Sequence, residues 1–213
     1  AIVAGVAEGC RQAGCALIGG EFSEHPGLMD PGEFDLVGFA VGVVEKSSVL
    51  PSGVADGDVV IGLASPGLRS NGYSLVRRLL LAEQGRSLDE PAWTGAAVTL
   101  GEELLRPSVI YAPMMAAVRK TVDVHAFAHI TGGGIPGNLN RVLPDDCDAV
   151  VRRGTWTVPR IFDVVQQAGD VSQRDMERTF NLGIGMTAVV PPTAVTDAME
   201  VLDRHGVSAF EIG

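Results

Sequence analysis

The sequence predicts an α/β chain, of α+β character with mixed sheets, built as two domains. Three observations carry that expectation. Strand-like and helix-like runs alternate along the chain, several helix-like runs end on glycine, and one Pro-, Gly- and Ser-rich stretch divides the chain near residues 47–57.

The first part, residues 1–50, reads as a helix followed by two strands. "AIVAGVAEGCRQAG" puts Ile2, Val3, Val6 and Ala7 at helical spacing and Gly14 at the usual stop position. The chain opens inside this helix without an initiator Met, so an N-terminal portion is expected to be missing. "CALIGGE" (15–21) is an expected strand, and "FDLVGFAVGVVEK" (34–46) a second, apolar on both sides and therefore buried on both faces. The turn-rich loop "FSEHPGLMDPGE" separates them.

The second part, residues 51–213, opens on the strand "DVVIGLAS" (58–65), the loop "PGLRSNG" and a helix from about Tyr73 to Glu83, with Leu75, Val76, Leu79 and Leu80 as its inner stripe and Gly85 as its stop. Pro107 should break the helical stretch "GEELLRPSVIYAPMMAAVRK". "TVDVHAFAHI" alternates Val122, Val124, Ala126 and Ala128 against Asp123, His125, Phe127 and His129, a strand with two unlike faces. A short helix to about Arg141, a strand at "DAVVRR" and helices at "VPRIFDVVQQAG" and "SQRDMERTF" follow, the last with Ser172 and Asp175 near capping-box spacing. The strand "LGIGMTAVVP" (182–191), the helix "TAVTDAMEVLDRHG" and the strand "VSAFEI" complete the pattern.

Composition bounds the function. Hydrophobic residues at 46% and charged residues at 20% of 213 describe a globular protein with enough apolar matter for a core. The net charge of −10 argues against nucleic acid or an anionic membrane as partner, since both need a basic face. No apolar run approaches the ~20 residues that span a bilayer. Three cysteines, Cys10, Cys15 and Cys147, make neither an even disulfide set nor a CxxC pair, which points to reduced thiols in a cytoplasmic protein. Cys10 and Cys15 are expected as buried filler.

Four stretches could carry chemistry. "AHITGGGIPG" offers Thr131 and the backbone of Gly132, Gly133 and Gly134, which can approach an anion closely. The same loop could be no more than a tight turn, and it lacks the spacing of a dinucleotide or P-loop motif. His125 and His129 fall on one strand face and serve equally well as packing residues or proton-transfer groups. "GLRSNGYS" sets Arg69, Ser70 and Asn71 before a helix. Ser70 and Asn71 suit an N-cap, while Arg69 beside free amides suits a phosphate. Glu21, beyond a glycine pair, could ligate Mg²⁺, take a proton or be a solvated charge. Asn181 could border a pocket or cap the preceding helix, and the glycines after it allow close backbone approach.

"GCALIGGE", "GFAVGVVEK", "SNGYSLVR", "VHAFAHITGGG", "RVLP" and "TFNLGIGM", in this order, resemble the phosphoribosylformylglycinamidine cyclo-ligases, or aminoimidazole ribonucleotide synthetases, over essentially the whole chain. The resemblance implies an enzyme of de novo purine synthesis that uses ATP and Mg²⁺ to phosphorylate the formyl-amide oxygen of formylglycinamidine ribonucleotide. Ring closure to aminoimidazole ribonucleotide follows. It also implies a homodimer, with residues 1–50 as the end of a dimerising, ATP-binding N-terminal domain and residues 51–213 as the C-terminal domain. By the same resemblance, Thr131 and Gly132 to Gly134 would bind phosphate, and Arg69, Ser70, Asn71 and Asn181 would bind substrate. His129 would transfer a proton, and Glu21 would hold metal or substrate.

Two departures stand out. The family's usual "GLHSNG" is "GLRSNG" here, so no role of that imidazole transfers to Arg69, and "GGETAE" is "GGEFSE", with Phe22 in place of a Thr. Lacking the family's N-terminal glycine- and Asp-rich segments, the chain by itself is expected to be inactive. Rival readings are formylglycinamidine ribonucleotide synthase, selenophosphate synthetase, thiamine monophosphate kinase, a hydrogenase maturation factor, and a non-catalytic remnant that binds a phosphorylated ligand.

Overall fold

A computed structural model describes residues 2–30 and 32–213; Ala1 and Pro31, the latter in the expected turn-rich loop, lie outside the described residues. The chain divides into two compact units, Ala1–Val49 and Leu50–Gly213.

In the first unit the helix α1 spans Ile2–Ala13 and ends at Gly14, whose φ of 72° is the left-handed stop that a glycine takes without strain. The two strands expected at 15–21 and 34–46 do not form among the described residues. A strand exists through its ladder, and these runs have no hydrogen-bonded neighbour strand; the one bridge of the unit joins Pro26 and Met29. The apolar run that was expected to be buried is therefore exposed, Phe39 to 94% and Val37 to 92%. None of the described residues of this unit is buried. Cys15 is exposed and Cys10 half-buried, a correction to their expected place in a core.

The second unit has a four-stranded sheet in the order β2-β3-β1-β4, from β1 (Val59–Ala64), β2 (Ala126–His129), β3 (Ile184–Val190) and β4 (Ala209–Glu211). Every pairing is antiparallel, where a mixed sheet was expected. Alternation of apolar residues gives a strand its faces and says nothing of its neighbour's direction. The expected strand "DAVVRR" is an extended segment joined to the sheet side by one backbone hydrogen bond, from Arg152 N to Ile212 O at 2.7 Å.

The helices follow their local signals. Tyr73–Val76 (α2) runs directly into a π-helical turn, Arg77–Glu83, and stops before Gly85. Pro107 falls in the break between α3 (Leu100–Leu104) and α4 (Ala112–Thr121). Thr99 caps α3 in a full capping box with Glu102. A short α5 (Gly134–Leu139) follows the triglycine, and α6 (Arg160–Ala168), α7 (Gln173–Thr179) and α8 (Val195–Arg204) come next. The Ser172 hydroxyl accepts from Asp175 N at 3.1 Å and starts α7.

β3 is buried at every position because both faces of the sheet are covered. On one face Ile61, Leu63, Met186, Ala188 and Val190 pack with Met114 and Val118 of α4 and with Ala198, Val201 and Leu202 of α8. On the other, Val60, Ala126, Ala128, Ile184 and Val189 meet Ile135 and Leu139 of α5. A third cluster, with Leu80, Leu100, Phe162, Met176 and Phe180 at its centre, joins α2, α3, α6 and α7 beyond the strand ends. Phe162 and Phe180 meet there with ring centroids 5.6 Å apart.

Glu103 of α3 is a charged side chain within this packing, only 2% exposed, beside Gly67 of the loop after β1. Arg106 Nε lies 2.8 Å from its Oε2, yet that oxygen accepts no aligned hydrogen bond among the described residues. Burial pushes the Glu103 carboxyl up, against the opposing pull of Arg106. Because the folded state holds this proton more tightly than the unfolded state, stability is full below the ordinary value of 4.5 and is lost as pH rises through the raised value. The Glu103→Gln chain should therefore match the parent in urea unfolding near pH ~4 and exceed it at pH ~7, the gap opening across that window.

Candidate functional site

The loop after β1 and the loop after β2 lie side by side on one wall of a cavity of about 890 Å³ in the second unit. Arg69, Ser70 and Asn71 from the first loop, His129 at the end of β2 and Thr131 from the second loop all line it. Tyr111, Met115 and Arg119 from α4 and its approach form the opposite side, with Phe127 and Met186 of the sheet as an apolar floor. Five residues expected to act together are thus brought to one place. The lining contains two arginines and no carboxylate, so it suits an anion.

Arg69 is the charged centre of this wall. It is 8% exposed and holds a φ of 62°, left-handed for a non-glycine residue, at a cost of roughly 1 kcal/mol. Its Nη1 donates to Gly185 O at 2.9 Å and its Nη2 to Ile130 O, and Nη2 also lies 3.1 Å from His129 Nε2. Among the described residues no carboxylate pairs with it. Burial lowers the guanidinium's pKa, and neighbouring Tyr111 opposes the shift. Burial raises the Tyr111 phenol, which donates to Ala64 O at 2.7 Å. Burial lowers His129 first, and the charge of Arg69 adds to that.

Gly185 makes the space for this cluster. A Cβ there would sit 2.1 Å from the Tyr111 hydroxyl and 2.6 Å from Arg69 Nη1. The bare β3 backbone thus lets two polar side chains reach the sheet from different elements.

The three glycines do three different things. Gly132 is exposed and abuts Asn71, whose Oδ1 would be 3.4 Å from a Cβ added there. Gly133 has φ 99° and precedes α5. Gly134 is buried with φ 62°, and a Cβ would lie 1.8 Å from Glu177 O of α7. Its N–H already donates to Thr131 O at 3.1 Å, whereas the N–H groups of Gly132 and Gly133 make no hydrogen bond among the described residues.

Sequence reasoning missed Asn138, which staples this loop. Its Nδ2 donates to Gly134 O at 2.8 Å, Gly132 O at 3.2 Å and Thr131 O at 3.4 Å, and its Oδ1 accepts from the Thr131 hydroxyl at 3.1 Å. The one available signal was an Asn seven residues after Thr131, which would cap nothing in a helix yet reaches back across its first turn.

Asn181 lies elsewhere. It is 3% exposed, donates to Gly67 O at 2.9 Å and Leu68 O at 3.5 Å, and accepts from Gly183 N at 2.7 Å. Its place is behind the Arg69 loop, at the edge of a separate cavity of about 570 Å³ between α5 and α7. His125 also lies outside the Arg69 cavity, with Nδ1 at 2.7 Å from Asp58 Oδ2. Glu21 belongs to the first unit and is exposed on an extended segment.

A divalent cation needs oxygen ligands, and the cavity lining supplies no Asp or Glu. Among the described residues no three His, Cys, Asp or Glu come together as a metal site. The residues at this cavity do not fit Mg²⁺.

Two substitutions test the scaffold. Asn138→Ala removes the side-chain donor to Gly132 O and Gly134 O and the acceptor of the Thr131 hydroxyl, and should cost roughly 1–3 kcal/mol in urea unfolding, above a surface substitution. Gly185→Ala should cost at least about 2 kcal/mol, with the Arg69 and Tyr111 resonances displaced in NMR spectra.

Residues 55–213 match the family described as AIR synthase related protein, C-terminal domain, and residues 1–44 match AIR synthase related protein, N-terminal domain. Among similar proteins is a phosphoribosylformylglycinamidine cyclo-ligase of Anaeromyxobacter sp. (strain Fw109-5), 51% identical over 213 residues, which are 100% of this chain and 61% of the relative. The protein of the same name from Brevibacillus brevis is 50% identical, over 100% of this chain and 62% of its own length, and that from Desulfatibacillum aliphaticivorans is 45% identical, over 61% of its length. The chain spans about three fifths of these relatives. With the match covering nearly all of the second unit and the loops that line its cavity, the chain belongs to the AIR synthase related protein family.

Proposed function

We propose that this chain is part of an ATP-dependent cyclo-ligase that closes formylglycinamidine ribonucleotide to aminoimidazole ribonucleotide. One observation carries the reading: a single cavity gathers Arg69, Ser70, Asn71, His129 and Thr131 around a buried guanidinium with no carboxylate partner. A desolvated cation beside the Ser70 and Thr131 hydroxyls, with no carboxylate partner among the described residues, recognises phosphate or a phosphorylated oxygen. The names of the relatives supply the reaction class.

In that reaction the γ-phosphoryl of ATP passes to the formyl-amide oxygen, and ADP leaves. The amidine nitrogen then attacks the activated carbon, the phosphorylated oxygen departs as inorganic phosphate, and the nitrogen loses a proton. Arg69 compensates the charge that moves onto the phosphoryl oxygens. The N–H groups of Gly132 and Gly133 and the hydroxyls of Ser70 and Thr131 orient it, while Asn71 fixes the approach beside Gly132. Asn181 and Asn138 hold the two loops from behind. Glu21, in the first unit, is not among the residues that line this cavity. Pairing as a homodimer and a cytoplasmic setting go with this reading.

The test uses the whole protein that carries this chain and follows ADP release with formylglycinamidine ribonucleotide, ATP and Mg²⁺, without glutamine or ammonia. Substrate-dependent ADP matched by aminoimidazole ribonucleotide is expected, and Asn71→Ala should lower kcat/KM by about 10–100-fold. A folded protein that binds phosphate and releases no ADP would instead support a phosphate-ligand-binding remnant.

A further inference from the structure

Arginine carries N–H donors and no acceptor, so an imidazole nitrogen within hydrogen-bond distance of it must supply the lone pair. Arg69 Nη2 lies 3.1 Å from His129 Nε2. The ring proton therefore belongs on Nδ1, which makes no hydrogen bond among the described residues.

We propose that Arg69 is a positioning residue for His129: it fixes the ring as the neutral Nδ1–H tautomer, so that His129 meets a phosphorylated ligand as a hydrogen-bond donor and not as a proton acceptor. The proposal deepens the reading of this cavity and rests on it for the identity of the ligand, though not for the state of the ring.

The surroundings hold this arrangement firmly. Arg69 cannot swing away cheaply, because two further hydrogen bonds tie it to Gly185 O and Ile130 O. Its backbone is left-handed, and Asn181 pins the preceding Leu68 and Gly67. Tyr111 faces the guanidinium across the space left by Gly185 and donates its own proton elsewhere, to Ala64 O. The charged and titratable groups around the ring are thus Arg69, Tyr111 and, across the cavity, Arg119. No carboxylate lines the cavity, so nothing there favours a protonated imidazolium. Burial and the Arg69 charge lower the His129 pKa, which agrees with a ring that stays neutral.

The test is NMR of the ¹⁵N-labelled whole protein that carries this chain, reading imidazole tautomers by long-range ¹H–¹⁵N couplings, with His129 assigned by its loss in His129→Asn. Expected for the parent are an Nδ1–H ring at pH ~7 and a titration midpoint below the ordinary 6.5. Arg69→Met removes the donor and the charge, and should raise the His129 midpoint, by the part of the lowering that the Arg69 charge adds to that of burial, while releasing the tautomer. An Nε2–H ring in the parent, or an unmoved midpoint in folded Arg69→Met, would overturn the proposal. The parent spectrum decides by itself if Arg69→Met fails to fold. Arg69→Lys, which keeps the charge, should hold the midpoint low. Titration of the parent with inorganic phosphate should move the Nδ1–H resonance. A tautomer as expected with no response to phosphate would count against the phosphate reading of the cavity and leave the control of His129 by Arg69 standing.

Discussion

The ladder between β1 and β3 is the constraint from which the second unit follows. Six residue pairs, Val59 with Val190 through Ala64 with Ile184, put the centre of the sheet where both faces must be covered, and β3 is buried throughout. The direction of β3 then decides where each loop goes. Its N-terminal end carries Asn181, Gly183, Gly185 and Met186 to the level at which β1 gives way to the Arg69 loop and β2 to the triglycine loop. Antiparallel pairing therefore does more than fill a core. It brings the ends of β1 and β2 to the same edge, so two loops separated by sixty positions form one wall.

Polar atoms inside that wall are divided between structure and chemistry. Asn138 and Asn181 spend their amides on backbone carbonyls and hold the two loops from behind. Arg69 spends its donors on two carbonyls and one imidazole, and retains an unneutralised charge. A buried cation without a counter-ion is costly in a folded protein, and the cost falls when an anion arrives.

Much of this was legible in the sequence, for reasons that can be named. Glycine stops, Pro107 and the Ser172 cap mark helix ends through local backbone chemistry, and all three act within a few residues. The cavity loops were legible because glycine and small polar residues cluster at strand ends. The failures are non-local. The strands expected at 15–21 and 34–46 do not form among the described residues, because strand formation depends on a neighbour that no single segment encodes. "DAVVRR" failed for the same reason. Asn181 does border a cavity, but a different one from the Arg69 cavity, because its amide is held by Gly67 and Leu68, more than a hundred positions away. Tyr111 gave no signal, since its hydroxyl matters only through the absence of a side chain at Gly185.

The staple made by Asn138 has an entropic side. Three glycines in a row would ordinarily sample many backbone states, and a ligand that ordered them would give up roughly 1–2 kcal/mol of binding free energy for each. One side chain holding the carbonyls of Thr131, Gly132 and Gly134 removes that freedom during folding. The loop keeps the close approach that glycine permits without the looseness that glycine brings, and recognition can then be fast and selective for shape.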